Sequence, residues 1–512
     1  MKLLYTLLLF IVALVFTNNM AYGQVNPFPQ EYFELEALKK YEAVHPPRPS
    51  IPSPAPAENE VMLGAHLTRS AMLLEMSTKE RRLPVRIIIY GQSITGSQIF
   101  TGYLKDYLIK KFPYADIILE NRCIGGFSAN AIIRTAPHDL YNSRADLIIF
   151  HVYGGERTGE LEQLFTNIRK YMTADILLLS HHVNSSNSSQ ASPNSLSAWY
   201  MRYIANKYDC ELADISEEWP KYLSANKMVS ADLLRDSTHP NRNGNWLLSQ
   251  LVGRHIKYNP LSSAPSYQTV QTLNVAAVYE DTPSGPITFV GKPWEHSNGI
   301  AIGHQMDSKL KLTFRGSRVD VIAGQMPKIS RTGSVKILLD GKPIGTNNTL
   351  LAITRPSSGP GTWFPLVRRV TNFKPLLQED WTLKIENVNA DSTEYTFSVR
   401  GSKTGADGVG SNKKNFVSNS GRVVIDSIDF EFINIRKVFK VDVPVGFEAH
   451  WSVIPLYERV YHPEINTDKS KVYKTTLVQG LDNNMLHTLE LVPVGDGPVP
   501  IEAFEIHRPP LK

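Results

Sequence analysis

The sequence predicts an α/β domain built on a three-layer parallel sheet, followed by a β-sandwich region. Between residues 59 and 260, short apolar runs alternate with helix-like stretches. Intervals of about 30 residues between such runs are typical of βαβ units. From residue 261 to residue 512, helical periodicity fades. Short runs of alternating apolar and polar residues appear there instead, separated by Gly, Asn, Asp and Pro, as in sandwiches of antiparallel strands.

The candidate strands of the α/β region are short runs rich in β-branched and other apolar residues, and three of them begin with an Ala-Asp pair. They are 85–90, 115–119, 145–150, 174–179 and a weaker run at 210–215. Apolar residues at helical spacing predict helices over 62–79, 101–112, 159–171 and 246–255. Because ligands of parallel α/β sheets bind outside the carboxyl ends of the strands, we expect the functional residues at those ends.

The β-rich half shows candidate strands at 309–314, 318–323, 334–339 and 489–494. Asp340-Gly341 predicts a tight hairpin turn after the third of them. The sequence leaves open whether this half forms one sandwich or two, with a seam near Ile435. Four tryptophans in this half are either core residues or platforms for sugar rings, and both readings stay open. They are Trp294, Trp363, Trp381 and Trp451.

The first residues predict an exported protein. Lys2, an apolar run over 3–16 and the small-residue site Ala21-Tyr22-Gly23 together resemble a secretory signal peptide over 1–23. The apolar run is short for a membrane span, which needs about 20 residues. Residues 24–58 include a proline-dense stretch that favours an extended linker. We therefore expect a secreted or periplasmic protein without a stable membrane span.

Composition excludes several classes of protein. Hydrophobic residues make up 42% and charged residues 20% of 512 residues, which indicates an ordinary globular chain of two or three domains. The net charge of +5 is too small to predict a nucleic-acid partner, although it is compatible with an acidic substrate. Only Cys123 and Cys210 are present, so one disulfide or two free thiols are both open. His181 and His182 are adjacent and point apart on an extended strand, so we expect no metal and no cofactor.

Ser93 is the first candidate for catalysis. It follows Gly91 and Gln92 at the end of the first predicted strand, just before a predicted helix. In that position its hydroxyl faces the crevice of the sheet, and its N–H can donate to a developing oxyanion. Taken alone, the tripeptide favours an ordinary turn or a helix N-cap over a catalytic role.

Asp236 and His239 form the second candidate pair, near the end of the α/β region. A carboxylate three residues before a histidine can hold the imidazole in one tautomer and leave its other nitrogen free to accept a proton from a hydroxyl. Both residues also fit a turn before Pro240. The joint occurrence of the serine after the first strand and of this pair before the last helix favours catalysis.

In this order, the motifs resemble those of the SGNH (GDSL-like) hydrolases. Gly91-Gln92-Ser93 resembles block I, and Asp236 with His239 resembles block V. The resemblance implies a flavodoxin-like sheet, Ser93 as nucleophile, His239 as base and Asp236 as its orienting group. The segment 121–130 is similar to block II, which implies that the N–H of Gly126 joins that of Ser93 in the oxyanion hole. Its Gly-Phe-Ser-Ala continuation is similar to that of rhamnogalacturonan acetylesterases.

Block III departs from the family pattern. Tyr153-Gly154-Gly155-Glu156-Arg157 stands where most SGNH enzymes have Gly-X-Asn-Asp, so the asparagine donor is missing. The sialate O-acetylesterase-like enzymes, which have Gly-Gln-Ser at block I and Gln-Gly-Glu at block III, are more similar. That resemblance makes Gly154 a third oxyanion candidate and gives Glu156 a role in supporting His239 or another active-site group. Pairing of Glu156 with Arg157 or solvent is the alternative. Gln92 is a further candidate for support and points toward carbohydrate esterases.

The expected function is a secreted serine esterase that removes O-acetyl or other short ester groups from a polysaccharide or oligosaccharide. Removal of methyl esters from a uronic-acid polymer uses the same chemistry and stays open. A non-catalytic glycan-binding protein on a hydrolase scaffold and a lipid esterase are the alternatives. The oligomeric state is left open by the sequence.

Overall fold

The computed structural model describes residues 51–183, 192–260, 269–277, 285–326, 331–464 and 468–511. Five strands form one parallel sheet: β1 (Pro84–Gly91), β2 (Asp116–Asn121), β3 (Leu147–His151), β4 (Asp175–Leu179) and β5 (Glu211–Ala213). Their order is β2-β1-β3-β4-β5, and every neighbouring pair is parallel. This is the strand order of flavodoxin-like sheets, so the predicted fold class of the first domain is confirmed.

Helices cover both faces of this sheet. They are α1 (Thr68–Glu75), α2 (Ser93–Gly96), α3 (Gln98–Lys111), α4 (Ala129–Asp139), α5 (Glu160–Tyr171), α6 (Leu196–Lys207), α7 (Ile215–Ala225) and α8 (Arg242–Gly253). Alternate residues of β1 point to opposite faces: Ile88 and Tyr90 join a core with α4, α5 and α6, whereas Ile87 and Ile89 join one with α1, α3, α7 and α8. The domain is therefore three layers thick.

The predicted helix over 62–79 is shorter in the structure, where α1 covers only Thr68–Glu75. Gly64 explains the late start, because its backbone is left-handed, with φ of 76°. A Cβ at that position would lie 2.1 Å from the carbonyl oxygen of Lys257, so the chain passes too close to residue 257 for any side chain.

The first β unit is a sandwich of two antiparallel sheets. One sheet contains β7 (Ile287–Gly291), β10 (Ser308–Phe314), β12 (Val335–Leu339), β13 (Lys342–Pro343), β21 (Val460–Tyr461) and β23 (His487–Pro493). The other contains β6 (Val270–Asn274), β8 (Glu295–Ser297), β9 (Ile300–Gly303), β11 (Arg318–Ala323), β22 (Lys474–Gln479) and β24 (Val499–His507). Leu310 and Leu312 of one sheet share a core with Val319 and Val321 of the other.

The predicted turn at Asp340-Gly341 connects β12 to β13, and both residues have positive φ, 51° and 77°. Positive φ at both central residues is what a two-residue hairpin turn of type I′ requires. The hairpin prediction is therefore confirmed.

A second β unit is inserted into the first, between β13 and β21. It consists of β14 (Leu351–Ile353), β15 (Asp380–Val388), β16 (Tyr395–Gly401), β17 (Gly405–Ser411), β18 (Phe416–Val417), β19 (Val424–Ile425), helix α9 (Phe432–Phe439) and β20 (Glu448–Pro455). Its main sheet has the order β14-β20-β15-β16-β17, and β18 and β19 form a hairpin. The β-rich half thus has two units, and their boundaries lie after β13 and before β21 rather than near Ile435, which is fully buried inside α9.

The inserted β unit packs on helix α4 of the α/β domain. Its core residues Phe364 and Leu366 belong to the same apolar cluster as Phe127 and Ile132. Polar contacts add to this interface, since the N–H of Val370 donates to Nε2 of His138 at 3.1 Å. The second β unit therefore shares a core with the domain that carries Ser93.

The predicted signal peptide and residues 24–50 of the predicted linker lie outside the described residues. Residues 51–58, expected as free linker, lie on the α/β domain instead: Ile51 packs on its core, and the carbonyl of Pro52 accepts a 2.6 Å hydrogen bond from Tyr222. Among the described residues, no helix is both long enough and apolar enough to cross a membrane. Cys123 and Cys210 are free thiols rather than a disulfide.

Candidate active site

Ser93 lies at the carboxyl end of β1, as the first residue of α2, and its side chain is partly buried. The turn into α2 depends on Gly91, whose φ is 138°. A Cβ at Gly91 would lie 1.9 Å from the carbonyl oxygen of His151, so only glycine lets β1 and β3 approach each other at this point. The strand pairing thus fixes where the Ser93 hydroxyl emerges from the sheet.

His239 lies beside Ser93, with its Nε2 atom 3.0 Å from the serine Oγ. The loop that carries it is held on both sides, since the N–H of Arg235 donates to the His239 carbonyl at 2.9 Å. Directly after the loop, the side chain of Asn241 accepts a 3.0 Å hydrogen bond from the N–H of Gly244 and caps α8. The imidazole is therefore within hydrogen-bonding distance of the hydroxyl.

Asp236 contacts the other ring nitrogen of His239. Its two carboxylate oxygens lie 3.1 and 3.0 Å from Nδ1, and Oδ1 also accepts hydrogen bonds from the N–H groups of Thr238 and His239. Partial burial opposes ionisation, but the hydrogen bonds from His239 and Thr238 outweigh it and hold the pKa of Asp236 below its usual value. An ionised Asp236 requires the proton on Nδ1, which leaves Nε2 free to accept the proton of Ser93.

Two backbone N–H groups of the predicted oxyanion hole are placed at this edge of the sheet. Ser93 begins α2, and N–H groups in a first helical turn have no acceptor within the helix. Gly126 is exposed, with a φ of 86° that favours glycine. Gly154 requires a correction, because its N–H already donates to Oε1 of Glu156 at 2.8 Å. It is therefore not available as a third donor.

Glu156 is buried and makes its contacts away from His239 and Arg157. Its Oε1 lies 2.8 Å from Nε2 of His181 and accepts from the N–H of Gly154. Burial is the largest single influence and disfavours the charge of Glu156, but the hydrogen bond and charge of His181 and the backbone N–H bonds together outweigh it, so the pKa of Glu156 is lowered. Glu156 thus contacts neither His239 nor Arg157, and instead joins the block III loop to the end of β4.

Gln92 has a similar connecting role. Its side-chain amide donates to the carbonyl of Tyr153 at 3.0 Å, and its backbone N–H donates to the carbonyl of His151 at 3.2 Å. Since Gln92 is buried, these bonds fix the residue before Ser93 against the end of β3.

His182 is a positioning residue that the sequence did not reveal. Its Nε2 donates to the carbonyl of Thr238 at 2.8 Å, and its Nδ1 accepts from the hydroxyl of Tyr153 at 3.0 Å. Burial lowers the pKa of His182 to about 4, so the ring is neutral near pH 7. His182 follows the end of β4, but nothing in the sequence linked it to the loop between Asp236 and His239.

Trp363 is a second residue that the sequence did not place at the site. Trp363 belongs to the inserted β unit. Its indole N–H donates a 2.9 Å hydrogen bond to the carbonyl of Gly125 in the α/β domain. The next residue, Phe364, lies 3.2 Å from the point where a Cβ of Gly126 would be and packs on the ring of Phe127 with centroids 4.7 Å apart. The loop with the Gly126 N–H is therefore braced by the inserted β unit.

The other three tryptophans considered as sugar platforms are core residues. Trp294 is 3% exposed, and Trp381 and Trp451 are each 1% exposed. A sugar ring cannot reach a side chain so buried, so the platform reading is wrong for these three.

Comparisons with known proteins found similar structures at low sequence identity. No protein-family model and no curated protein matches the chain. Among solved structures, it is similar to a two-domain esterase active on acetylated mannans, at 13% identity, covering 86% of this chain and 97% of that one with a TM-score of 0.32. It is also similar to Axe2, an acetylxylan esterase from Geobacillus stearothermophilus, at 17% sequence identity. That match covers 34% of this chain and 94% of Axe2, with a TM-score of 0.29. With such TM-scores, any function must rest on the chain's own geometry.

Proposed function

We propose that the chain is a serine ester hydrolase of the SGNH type that removes O-acetyl or other short ester groups from a polysaccharide. The observation that carries the proposal is the line of contacts from Ser93 Oγ to His239 Nε2 and from His239 Nδ1 to Asp236. An alcohol, an imidazole and an ionised carboxylate in this order are the parts that a nucleophilic serine needs.

In the first half of the reaction, Oγ of Ser93 attacks the ester carbonyl while its proton moves to Nε2 of His239. The oxygen that becomes negative is stabilised by the N–H groups of Ser93 and Gly126. The sugar oxygen then leaves with the proton from His239, and an acyl-serine remains. Asp236 stabilises the imidazolium while it exists.

In the second half, His239 removes a proton from water, and the hydroxide attacks the acyl-serine. The serine takes back its proton from His239, and the carboxylic acid is released. The side chains of His239 and Asp236 are 30% and 47% exposed, so the site is open at the surface. An open site favours an ester on a polymer over a single apolar acyl chain, which needs an enclosed apolar pocket.

The test compares the wild type with Ser93→Ala in the hydrolysis of 4-nitrophenyl acetate and in the release of acetate from acetylated polysaccharides. The proposal expects hydrolysis by the wild type and a loss of about 1000-fold or more in the variant. Ser224→Ala, an exposed serine of α7, is the matched control and should keep full activity. Wild-type hydrolysis no faster than Ser93→Ala contradicts the proposal.

A non-catalytic glycan-binding protein is the second candidate, because the N–H of Gly154, one of the three expected oxyanion donors, is already bonded to Glu156. It predicts retained polysaccharide binding without hydrolysis. A lipid esterase predicts faster turnover of 4-nitrophenyl esters with long acyl chains than of the acetate. We further propose that the protein is exported, which N-terminal sequencing of the mature chain tests directly.

A further inference from the structure

A large groove lies between the α/β domain and the two β units, apart from the site of Ser93. Its volume is about 1080 Å³, and it follows α5 from Glu160 to Tyr171. At 1.5 Å of rise per residue, that length is roughly 17 Å, enough for a short oligosaccharide. Residues 479–484 of the first β unit and Arg369 of the inserted unit form the opposite wall. None of Ser93, Asp236 and His239 lines the groove.

One wall of the groove presents an aromatic surface. The side chain of Tyr171 is 49% exposed, although its ring packs on that of Tyr141 with centroids 5.1 Å apart. Lys170 places its Nζ 5.9 Å from the same ring. A half-exposed aromatic ring of this kind offers a flat apolar surface on which the face of a sugar can stack.

The rest of the wall is rich in side-chain amides, which can both donate to and accept from sugar hydroxyls. The amides that line the groove are Asn142, Gln163, Asn167, Gln479, Asn483 and Asn484. Such a mixture suits a polyhydroxylated ligand better than an apolar one.

Arg369 adds a cation without a partner. In the part of the chain that the structure describes, this half-buried guanidinium makes no hydrogen bond and no ion pair, and its Nε is buried. Asp429 is near enough for Arg369 to influence its pKa, but both oxygens of Asp429 are hydrogen-bonded to Arg134. A partly desolvated guanidinium without a carboxylate is suited to bind one from a ligand, because its fork matches carboxylate geometry.

The acidic residues of the groove have local partners of their own. Glu160 is hydrogen-bonded to Thr158, and Asp482 accepts a 2.9 Å hydrogen bond from the N–H of Asn484. Lys170 forms no ion pair among the described residues. The groups left for a ligand are therefore cations, an aromatic ring and the amide atoms that are not used within the groove, where Gln163 donates to Asn167 and Gln479 donates to Asn142.

We propose that this groove binds a segment of an acidic polysaccharide, with a uronate carboxylate on Arg369, a sugar face on Tyr171 and hydroxyls on the amides. The proposal rests on the proposed function in that it names the class of polymer whose esters are removed.

The experiment measures the binding of trigalacturonate and of neutral mannotriose to the purified chain by calorimetry. Trigalacturonate should bind more tightly than mannotriose. Arg369→Gln should raise the Kd of trigalacturonate about tenfold or more, as expected for the loss of a charge-assisted hydrogen bond. Tyr171→Ala, at a half-exposed position, should weaken it as well. Arg400→Gln, an exposed arginine on the same inserted unit, is the matched control and should bind like the wild type.

Hydrolysis of 4-nitrophenyl acetate separates this proposal from the proposed function. It should be unchanged in Arg369→Gln, since the groove is apart from Ser93. A Kd for trigalacturonate that is equal in the wild type, Arg369→Gln and Tyr171→Ala overturns the groove proposal, even when hydrolysis depends on Ser93. Binding that depends on Arg369 in a protein without Ser93-dependent hydrolysis supports the groove and overturns the esterase.

Discussion

The indole N–H of Trp363 donates a 2.9 Å hydrogen bond to the carbonyl of Gly125, the residue before the exposed Gly126. The two partners are 238 positions apart in sequence and belong to the inserted β unit and the α/β domain. The N–H of Gly126 belongs to the same peptide unit as the Gly125 carbonyl, so a bond to that carbonyl orients that N–H. The inserted β unit thus helps to form the candidate oxyanion hole.

Trp363→Phe tests this contact. The substitution keeps an aromatic ring but removes the indole donor, so the peptide that carries the Gly126 N–H loses one constraint. Loss of an oxyanion donor costs about 100-fold to 1000-fold in rate, and we expect a displaced donor to cost less, about tenfold in kcat with little change in KM. Steady-state kinetics with 4-nitrophenyl acetate measure both values.

Trp294→Phe is the control for Trp363→Phe. Trp294 is buried in the first β unit, and its indole nitrogen has no hydrogen-bond partner there, so the change removes no such bond. It should lower the Tm while kcat stays at the wild-type value. An unchanged kcat in Trp363→Phe would show that the Gly125 contact has no influence on the reaction.

Asp236→Asn tests the orienting carboxylate. An amide in place of the carboxylate permits the other tautomer of His239, in which Nε2 carries the proton and cannot accept one from Ser93. We expect kcat to fall by about 1000-fold or more, with a Tm close to that of the wild type because Asp236 is half-exposed. Asp106→Asn, an exposed residue of α3, should be fully active.

The pH dependence follows from the lowered pKa of Asp236. A depressed folded-state pKa means that the carboxylate stays ionised above its ordinary value of 3.8 and is protonated only at still lower pH. Protonation of Asp236 therefore cannot cause a fall of kcat/KM between pH 7 and pH 4. The carboxyl carbon chemical shift of Asp236, followed by NMR between pH 7 and pH 4, should therefore stay constant, and a titration step in that range would contradict the assignment.

Sequence alone predicted the parts of the site that depend on local spacing. The apolar run of β1 placed Ser93 at a strand end, and the three-residue interval between Asp236 and His239 brought a carboxylate beside an imidazole. Both relations involve neighbouring residues or one strand, so the pattern of residue types reveals them.

The contacts that the sequence missed join distant segments. β12 pairs with β23 about 150 residues later, and a whole β unit is inserted between them; no local pattern specifies which strands become partners. Glu156 pairs with His181 rather than with Arg157 for the same reason, since the end of β4 lies beside the end of β3 only in the folded sheet. Tertiary packing, which is invisible in local spacing, decides such pairings.

His182→Gln tests how the loop of Asp236 and His239 is held at acidic pH. In the folded protein, burial lowers the pKa of His182 from 6.5 to about 4; His181 and His239 lower it further, while the hydrogen bond to Thr238 and the charge of Asp236 raise it. Between these two pH values the unfolded chain binds a proton that the folded chain does not, so stability falls as the pH drops from 6.5 to 4. The difference corresponds to at most roughly 3 kcal/mol.

Glutamine cannot take up that proton, but its amide can still donate to the Thr238 carbonyl. The Tm of His182→Gln should therefore fall less steeply than that of the wild type between pH 6.5 and pH 4, as measured by thermal unfolding at several pH values. His450→Gln, an exposed residue of β20, should follow the wild-type slope. Identical slopes for all three proteins would exclude His182 as a source of acid sensitivity.

Glu156→Gln separates a structural role of Glu156 from a catalytic one. The glutamine side chain retains an oxygen that accepts from the Gly154 N–H, but the substitution removes the negative charge beside His181. Because this pair is buried, we expect a loss of about 1–3 kcal/mol in the free energy of unfolding, seen as a lower Tm. Turnover of 4-nitrophenyl acetate should stay within about threefold of the wild type, since Glu156 contacts neither Ser93 nor His239. Glu448→Gln, at an exposed position, should change neither value. A fall in kcat of more than about tenfold at an unchanged Tm would instead place Glu156 in the reaction itself.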